Sequence, residues 1–179
     1  AAICLSLGME PEQVVDGLTK LKPVKGRLEL VGKTEAGAGV FVDYAHTPDG
    51  LDVLLRAVRP HTAGRLKVIF GCGGDRDAKK RPLMGEIAAR QADDVIVTDD
   101  NPRTEDADKI RHAILEGAPG AREIGDRAEA IRTVIGELRK GDTLVIAGKG
   151  HETGQIIGTD VIPFSDQDTA LAALKGGAG

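Results

Sequence analysis

Two apolar rhythms alternate along this chain. Short, nearly continuous runs such as Leu66–Phe70, Val95–Val97 and Thr143–Ala147 are followed by stretches where apolar residues recur every third or fourth position, as at Leu51, Leu54, Leu55 and Val58. The first pattern belongs to strands buried on both faces, the second to helices with one buried stripe. The rhythm predicts strands at 28–31 and 40–43 around the Gly-rich turn Glu35–Gly39, then a helix at 48–58 and a strand at 66–70. A helix at 83–91, a strand at 95–97, a helix at 105–116 and a short strand at 121–124 follow. Asp126 caps a helix reaching Arg139, the strand 143–147 comes next, and 155–157 pairs with 161–162 as a hairpin. A last helix, 167–174, runs into a loose Gly-rich tail. Apolar strands alternating with helices imply an α/β fold: a Rossmann-like, doubly wound, mostly parallel sheet with helices on both faces.

The first 25 residues differ. Ala1–Leu7 reads as the last turns of an apolar helix closed by Gly8, and Pro11–Leu21 as a second helix with Val14, Val15, Leu18 and Leu21 at helical spacing. Lys22–Gly26 reads as a linker. The expected division is a helical remnant of another domain over 1–25 and the α/β domain over 26–179. With no initiator Met and no helix start signal, the chain is expected to begin partway through a longer protein.

Composition narrows the function. Aromatic residues make up only 2%, with no Trp, so stacking platforms for single-stranded nucleic acid are not expected. A formal net charge of −4 argues against a general polyanion binder. Basic residues crowd only locally, in Arg76–Arg81, which suits a small anion. No apolar run is long enough to span a bilayer, and no secretory leader is evident. Cys4 and Cys72 have neither disulfide nor zinc spacing, so a reducing cytoplasm is the expected compartment.

Chemistry gathers at the ends of the predicted strands, where open α/β sheets hold their ligands. After Val95–Val97 comes Asp100-Asn101-Pro102-Arg103, a rigid turn carrying a guanidinium that can grip a carboxylate through two parallel hydrogen bonds. A solvated bend is the plainer alternative. After Leu66–Phe70 comes Gly71–Asp77, where glycines allow close backbone approach and Arg76 supplies a second fork; it does not meet the dinucleotide pattern. After Thr143–Ala147 comes Gly148-Lys149-Gly150-His151-Glu152, whose amides suit an anion and whose Glu152 suits an ammonium; it is not a P-loop. His151 is a proton-shuttle candidate on position only. Asp43–Asp49 closes a strand and opens a helix, with Thr47 as cap and Pro48 at the first helical position. Asp43 and His46 are placed to meet a ribose or a metal-bound phosphate, and Arg27 could reach a phosphate across the domain junction.

Arg76, Arg103 and Glu152 together make two carboxylate grips and one ammonium grip. That set suits a zwitterionic amino acid with an extra carboxylate. No His, Cys or carboxylate cluster has metal-ligand spacing, and no nucleophile elbow is present.

Gly26–Glu29, Asp43–Asp49, Gly71–Asp77 with Lys80-Arg81-Pro82, Asp99–Arg103 and Gly148–Glu152 resemble, in order and spacing, the Mur ligase family. Asp-Asn-Pro-Arg is similar to the branch that adds meso-diaminopimelate; the lysine-adding branch lacks that arginine. The resemblance implies a ligase in which ATP activates the terminal carboxylate of UDP-MurNAc-L-Ala-D-Glu as an acyl phosphate, which the incoming amine attacks. It implies that Arg76, Asp100, Asn101, Arg103, Gly148 and Glu152 hold meso-diaminopimelate, with Arg103 on the distal carboxylate and Glu152 on an amine. It places Arg27, Asp43 and His46 toward ATP, with Arg27 and His46 in catalytic roles. The family's P-loop, carbamylated lysine and Mg²⁺ ligands have no counterpart here, nor does its UDP-sugar domain. ATP and Mg²⁺ would be bound mainly by a central domain whose end is residues 1–25, and the chain alone is expected to be inactive. Two alternatives are the same scaffold serving lysine and a free-standing Rossmann-like binding module.

Overall fold

The computed structural model describes residues 1–21 and 23–176. Over these the chain runs α1 (Ala2–Ser6), α2 (Pro11–Thr19), β1 (Glu29–Lys33), β2 (Gly39–Asp43), α3 (Pro48–Val58) and β3 (Leu66–Phe70). It continues through α4 (Lys80–Gln91), β4 (Asp94–Val97), α5 (Ala107–Leu115), β5 (Arg122–Glu123), α6 (Arg127–Gly136), β6 (Thr143–Ala147), β7 (Gly154–Ile157), β8 (Asp160–Pro163) and α7 (Asp166–Gly176). Lys22, part of the expected linker, and the tail 177–179 lie outside the described residues.

The sheet order is β1-β2-β6-β3-β4-β5. All neighbours are parallel except β1, which lies antiparallel to β2 at the edge. β7 and β8 form a separate antiparallel hairpin. Period-2 alternation divides the core into two. Leu66, Val68, Phe70, Val145 and Ala147 meet Leu51 and Leu55 of α3, Met84 of α4 and Ile110 of α5. Ile69, Leu144, Ile146, Val40 and Val42 meet Ile131 and Val134 of α6 and Ala170 of α7. Because α6 lies on the opposite face from α3–α5, the chain returns from β5 at the far edge to place β6 between β2 and β3. That reversal sets the carboxyl ends of β2, β6, β3 and β4 side by side.

Two boundaries differ from expectation by three residues. α4 starts at Lys80 rather than Leu83, because Pro82 falls within the first turn, where its missing N–H removes nothing. α6 stops at Gly136 rather than Arg139: Asp142 accepts from the amides of both Arg139 and Arg65 and turns the chain into β6. In α1 and α2 only Val14 is buried, while Ile3, Leu7, Val15 and Leu18 are exposed.

Candidate active site

Over these strand ends lies a cleft of about 580 Å³. Arg76, Asp100, Asn101, Arg103, Gly148 and Glu152 all line it, and Tyr44 and His46 form another part of its wall. The residues singled out as an amino-acid grip thus share one cavity.

Arg103 is held through its backbone. Its φ of 52° lies in the left-handed region, costly for a side chain larger than glycine's, and the surroundings must hold it there. The β7–β8 hairpin supplies the restraint: Arg103 N donates to Ile156 O (3.0 Å) and Gly158 N to Arg103 O (2.7 Å). Its Nη1 donates to Gly74 O (2.8 Å), leaving Nε and Nη2 without a protein partner among the described residues, the fork a carboxylate needs. Gly74 is required by contact, since a Cβ there would lie 1.9 Å from Pro102 O. Arg76 is exposed and donates only to the neighbouring Asp75 O (2.8 Å), so its fork can swing.

Glu152 sits across the cleft. Its Oε2 accepts from Asn101 Nδ2 and from Lys149 Nζ, both at 3.0 Å. Burial raises its carboxyl's affinity for a proton, but the Asn101 and Lys149 hydrogen bonds win and hold it below the ordinary glutamate value. Asn101 is a hub: Oδ1 also accepts from Lys149 Nζ (2.8 Å) and Ile156 N (3.0 Å). Gly148 has φ 114°, and a Cβ there would stand 2.8 Å from Asp100 Oδ2, so this floor admits only glycine.

Asp100 has no side-chain hydrogen bond among the described residues, and burial drives its pKa above the usual 3.8 despite Arg127 and Lys149 nearby. A raised acid gives its stabilising contribution below the unfolded value and loses it as pH climbs through the folded one. An acid at this position therefore costs stability at neutral pH, where the unfolded chain would hold it ionised. Asp100→Asn is expected to raise the thermal midpoint at pH 7 and leave it nearly unchanged at pH 3; a lower midpoint at pH 7 would contradict this.

Three members of this network were not anticipated. Lys149 is fully buried, and Arg127 and Asp166 form a fully buried pair at 2.7 and 2.9 Å. Arg127 also donates to Ala147 O (2.9 Å) and Asp99 O (3.3 Å), binding the ends of β6 and β4 to the start of α7. Lys149 could have been flagged by its place between two glycines; an arginine just after a helix cap gives no such signal. Asp99 itself stays out of the cleft lining, paired with Arg111.

The residues expected to face ATP occupy the neighbouring edge. Arg27 lies outside the lining, with its Cζ 4.6 Å from the centre of the Tyr44 ring. Tyr44 is packed edge-on against His46, and the His151 ring lies tilted to it at 5.3 Å. Asp43, also outside the lining, uses both oxygens on backbone amides, Oδ2 from Leu28 (2.7 Å) and Oδ1 from Ala45 (2.7 Å). Among the described residues no group of three or more His, Cys, Asp or Glu side chains could hold a metal ion, and no helix is long and apolar enough to cross a membrane. A larger groove of about 1060 Å³ runs between α6, α7 and the β1–β2 turn, but none of the site residues expected from sequence reaches it.

The fold is that of a ligase domain: the chain belongs to the Mur ligase family, whose glutamate ligase domain matches residues 26–150. Curated relatives called UDP-N-acetylmuramoyl-L-alanyl-D-glutamate--2,6-diaminopimelate ligase are similar along nearly its whole length. That of Chelativorans sp. is 58% identical over 175 residues (98% of this chain), and that of Bradyrhizobium diazoefficiens 59% over 174 (97%). A solved structure of a ligase with that name superposes with a TM-score of 0.79 at 40% identity, covering 98% of this chain. A UDP-N-acetylmuramate-alanine ligase from Thermotoga maritima shares the fold, with a TM-score of 0.66 at 21% identity. The chain spans 36% of the length of each of the two curated relatives and 36% of the 40%-identical structure.

Proposed function

We propose that this chain is the C-terminal, amino-acid-binding part of a cytoplasmic ATP-dependent ligase. The full protein joins meso-2,6-diaminopimelate to UDP-MurNAc-L-Ala-D-Glu, a step in building the peptidoglycan precursor. The observation that carries this reading is the meeting of Arg76, Arg103 and Glu152 in one cleft. Two carboxylate forks and one carboxylate answer a substrate with two carboxylates and an ammonium at its far end. The names of the similar relatives, which specify 2,6-diaminopimelate, support the same substrate.

In this reading Arg103, with Nε and Nη2 free, takes the distal carboxylate, Glu152 takes the ammonium beside it, and Arg76 closes over the other carboxylate. Gripping the far end leaves the reacting amine oriented toward the other substrate, a gain from positioning rather than from chemistry by these side chains. ATP supplies the phosphoryl group that activates the acceptor carboxylate. Arg27 and His46, beside Tyr44, are the cationic and proton-handling groups of this chain nearest that event, and Asp43 acts by fixing their loop. ATP and Mg²⁺ would be held mainly by other parts of the full protein, and residues 1–25, with their exposed apolar side chains, are the end of its preceding domain.

The test is an assay of the full-length protein with ATP and UDP-MurNAc-L-Ala-D-Glu, offering meso-diaminopimelate or lysine and reading ADP release and product mass. Product with meso-diaminopimelate in strong preference to lysine is expected, and no turnover from the 179-residue chain alone. Equal use of lysine, or turnover by the isolated chain, would contradict the reading.

A further inference from the structure

Glu152 alone would be a poor seat for an ammonium. A glutamate on a loop samples many rotamers, and fixing one on binding costs conformational entropy. Here the carboxylate is not free. Oε2 is held from two directions by Lys149 and Asn101, which leaves Oε1 without a partner among the described residues. Lys149 has no exposed surface, and its ammonium is 2.8 Å from Asn101 Oδ1 and 3.0 Å from Glu152 Oε2. A buried cation is tolerated only when it is paired and hydrogen-bonded, so this lysine has little alternative to the place it occupies.

We infer that Lys149 is a positioning and specificity residue: it presets Glu152, so that Oε1 waits for the distal ammonium of the amino acid before the amino acid arrives. Through Asn101 the same network reaches Ile156, whose carbonyl holds Arg103. The ammonium seat and the carboxylate fork are therefore two ends of one connected frame. Lys149 also offsets the negative charge of Glu152, so the half-buried carboxylate stays ionised. The inference rests on the proposed amino-acid substrate.

Around Glu152 the charged groups are Lys149 on its own loop, Asp100 and Arg103 from the turn after β4, and Arg127 from α6. Lys149→Met keeps length and removes charge. In the full-length ligase it is expected to raise KM for meso-diaminopimelate roughly 30-fold or more while kcat changes less than about threefold. The acid limb of kcat/KM should move to higher pH as Glu152 loses its partner. In a Glu152→Gln background the same change should cost less than about threefold, because Lys149 acts through Glu152.

An unchanged KM and acid limb, or an equal penalty in the Glu152→Gln background, overturns the inference while leaving the substrate assignment intact. A wild-type protein that makes no product from meso-diaminopimelate overturns both. Should Lys149→Met fail to fold, NMR titration of the Glu152 carboxyl in the wild type decides. A value below the ordinary 4.5 supports the preset seat, and one at or above it overturns it.

Discussion

Arg103→Ala in the full-length protein is expected to weaken meso-diaminopimelate by about 2–4 kcal/mol, a factor of roughly 30 to 900, while KM for ATP changes little. The size follows from what is lost. The guanidinium is partly buried, anchored on Gly74 O, and keeps Nε and Nη2 available for a two-point grip. Alanine removes both bonds and leaves the ligand's distal carboxylate desolvated without a partner. Lysine, which has no carboxylate at that end, should lose far less, so the preference for meso-diaminopimelate collapses by nearly the same factor. Calorimetry or steady-state kinetics with both amino acids reads this directly. A change under threefold would mean that Arg103 is only a structural member of the turn, the solvated-bend alternative. Arg103→Lys is expected to fall closer to alanine than to wild type, since a point charge cannot reproduce the fork.

The second large effect is on stability. Asp166→Asn leaves Arg127 buried without its hydrogen-bonded carboxylate. Burial works against the charge of Arg127, and Asp166 overrides it, leaving the guanidinium firmly protonated. Removing one partner of such a pair costs about 3–5 kcal/mol, against a total of about 5–15 kcal/mol for a typical domain. Denaturant unfolding followed by circular dichroism should show a midpoint shift of that size. A loss below about 1 kcal/mol would contradict the role assigned here. Arg127→Met with Asp166→Leu should recover much of the stability, because it buries no charge. It should not recover ligand binding in full, since Arg127 also ties Ala147 O to Asp99 O beneath the cleft.

Much of the architecture was legible before the fold was known. Leu66–Phe70 and Thr143–Ala147 are apolar on both alternating sets because both sheet faces are covered, and that is written in the run itself. α3 runs over the residues expected, because Thr47 accepts from Gly50 N and Pro48 supplies a preformed first turn. The six residues proposed to hold the amino acid were recognisable as one cleft lining because each follows a predicted strand. The three parallel strands they follow, β3, β4 and β6, are neighbours in the sheet, so the loops had to meet.

Less legible were Lys149, Arg127 and Asp166. Nothing local distinguishes a buried lysine from a solvated one; the difference lies in what chain reversal brings from 48 and 39 residues away, Asn101 to Lys149 and Asp166 to Arg127. Asp43, expected to face a ribose or a metal-bound phosphate, is likewise set by long-range contact: it accepts from two backbone amides, one of them supplied by Leu28 fifteen residues earlier.

Periodicity, caps and turn residues are short-range properties, and they were enough to define the strands, the helices and which strand ends carry chemistry. Proximity is long-range. Only when β6 inserts between β2 and β3 do Asp100–Arg103 and Gly148–Glu152 face each other. Burial then converts Lys149, Asn101 and Glu152 from three polar side chains into one fixed frame, because inside the protein an unpaired charge costs far more than in water.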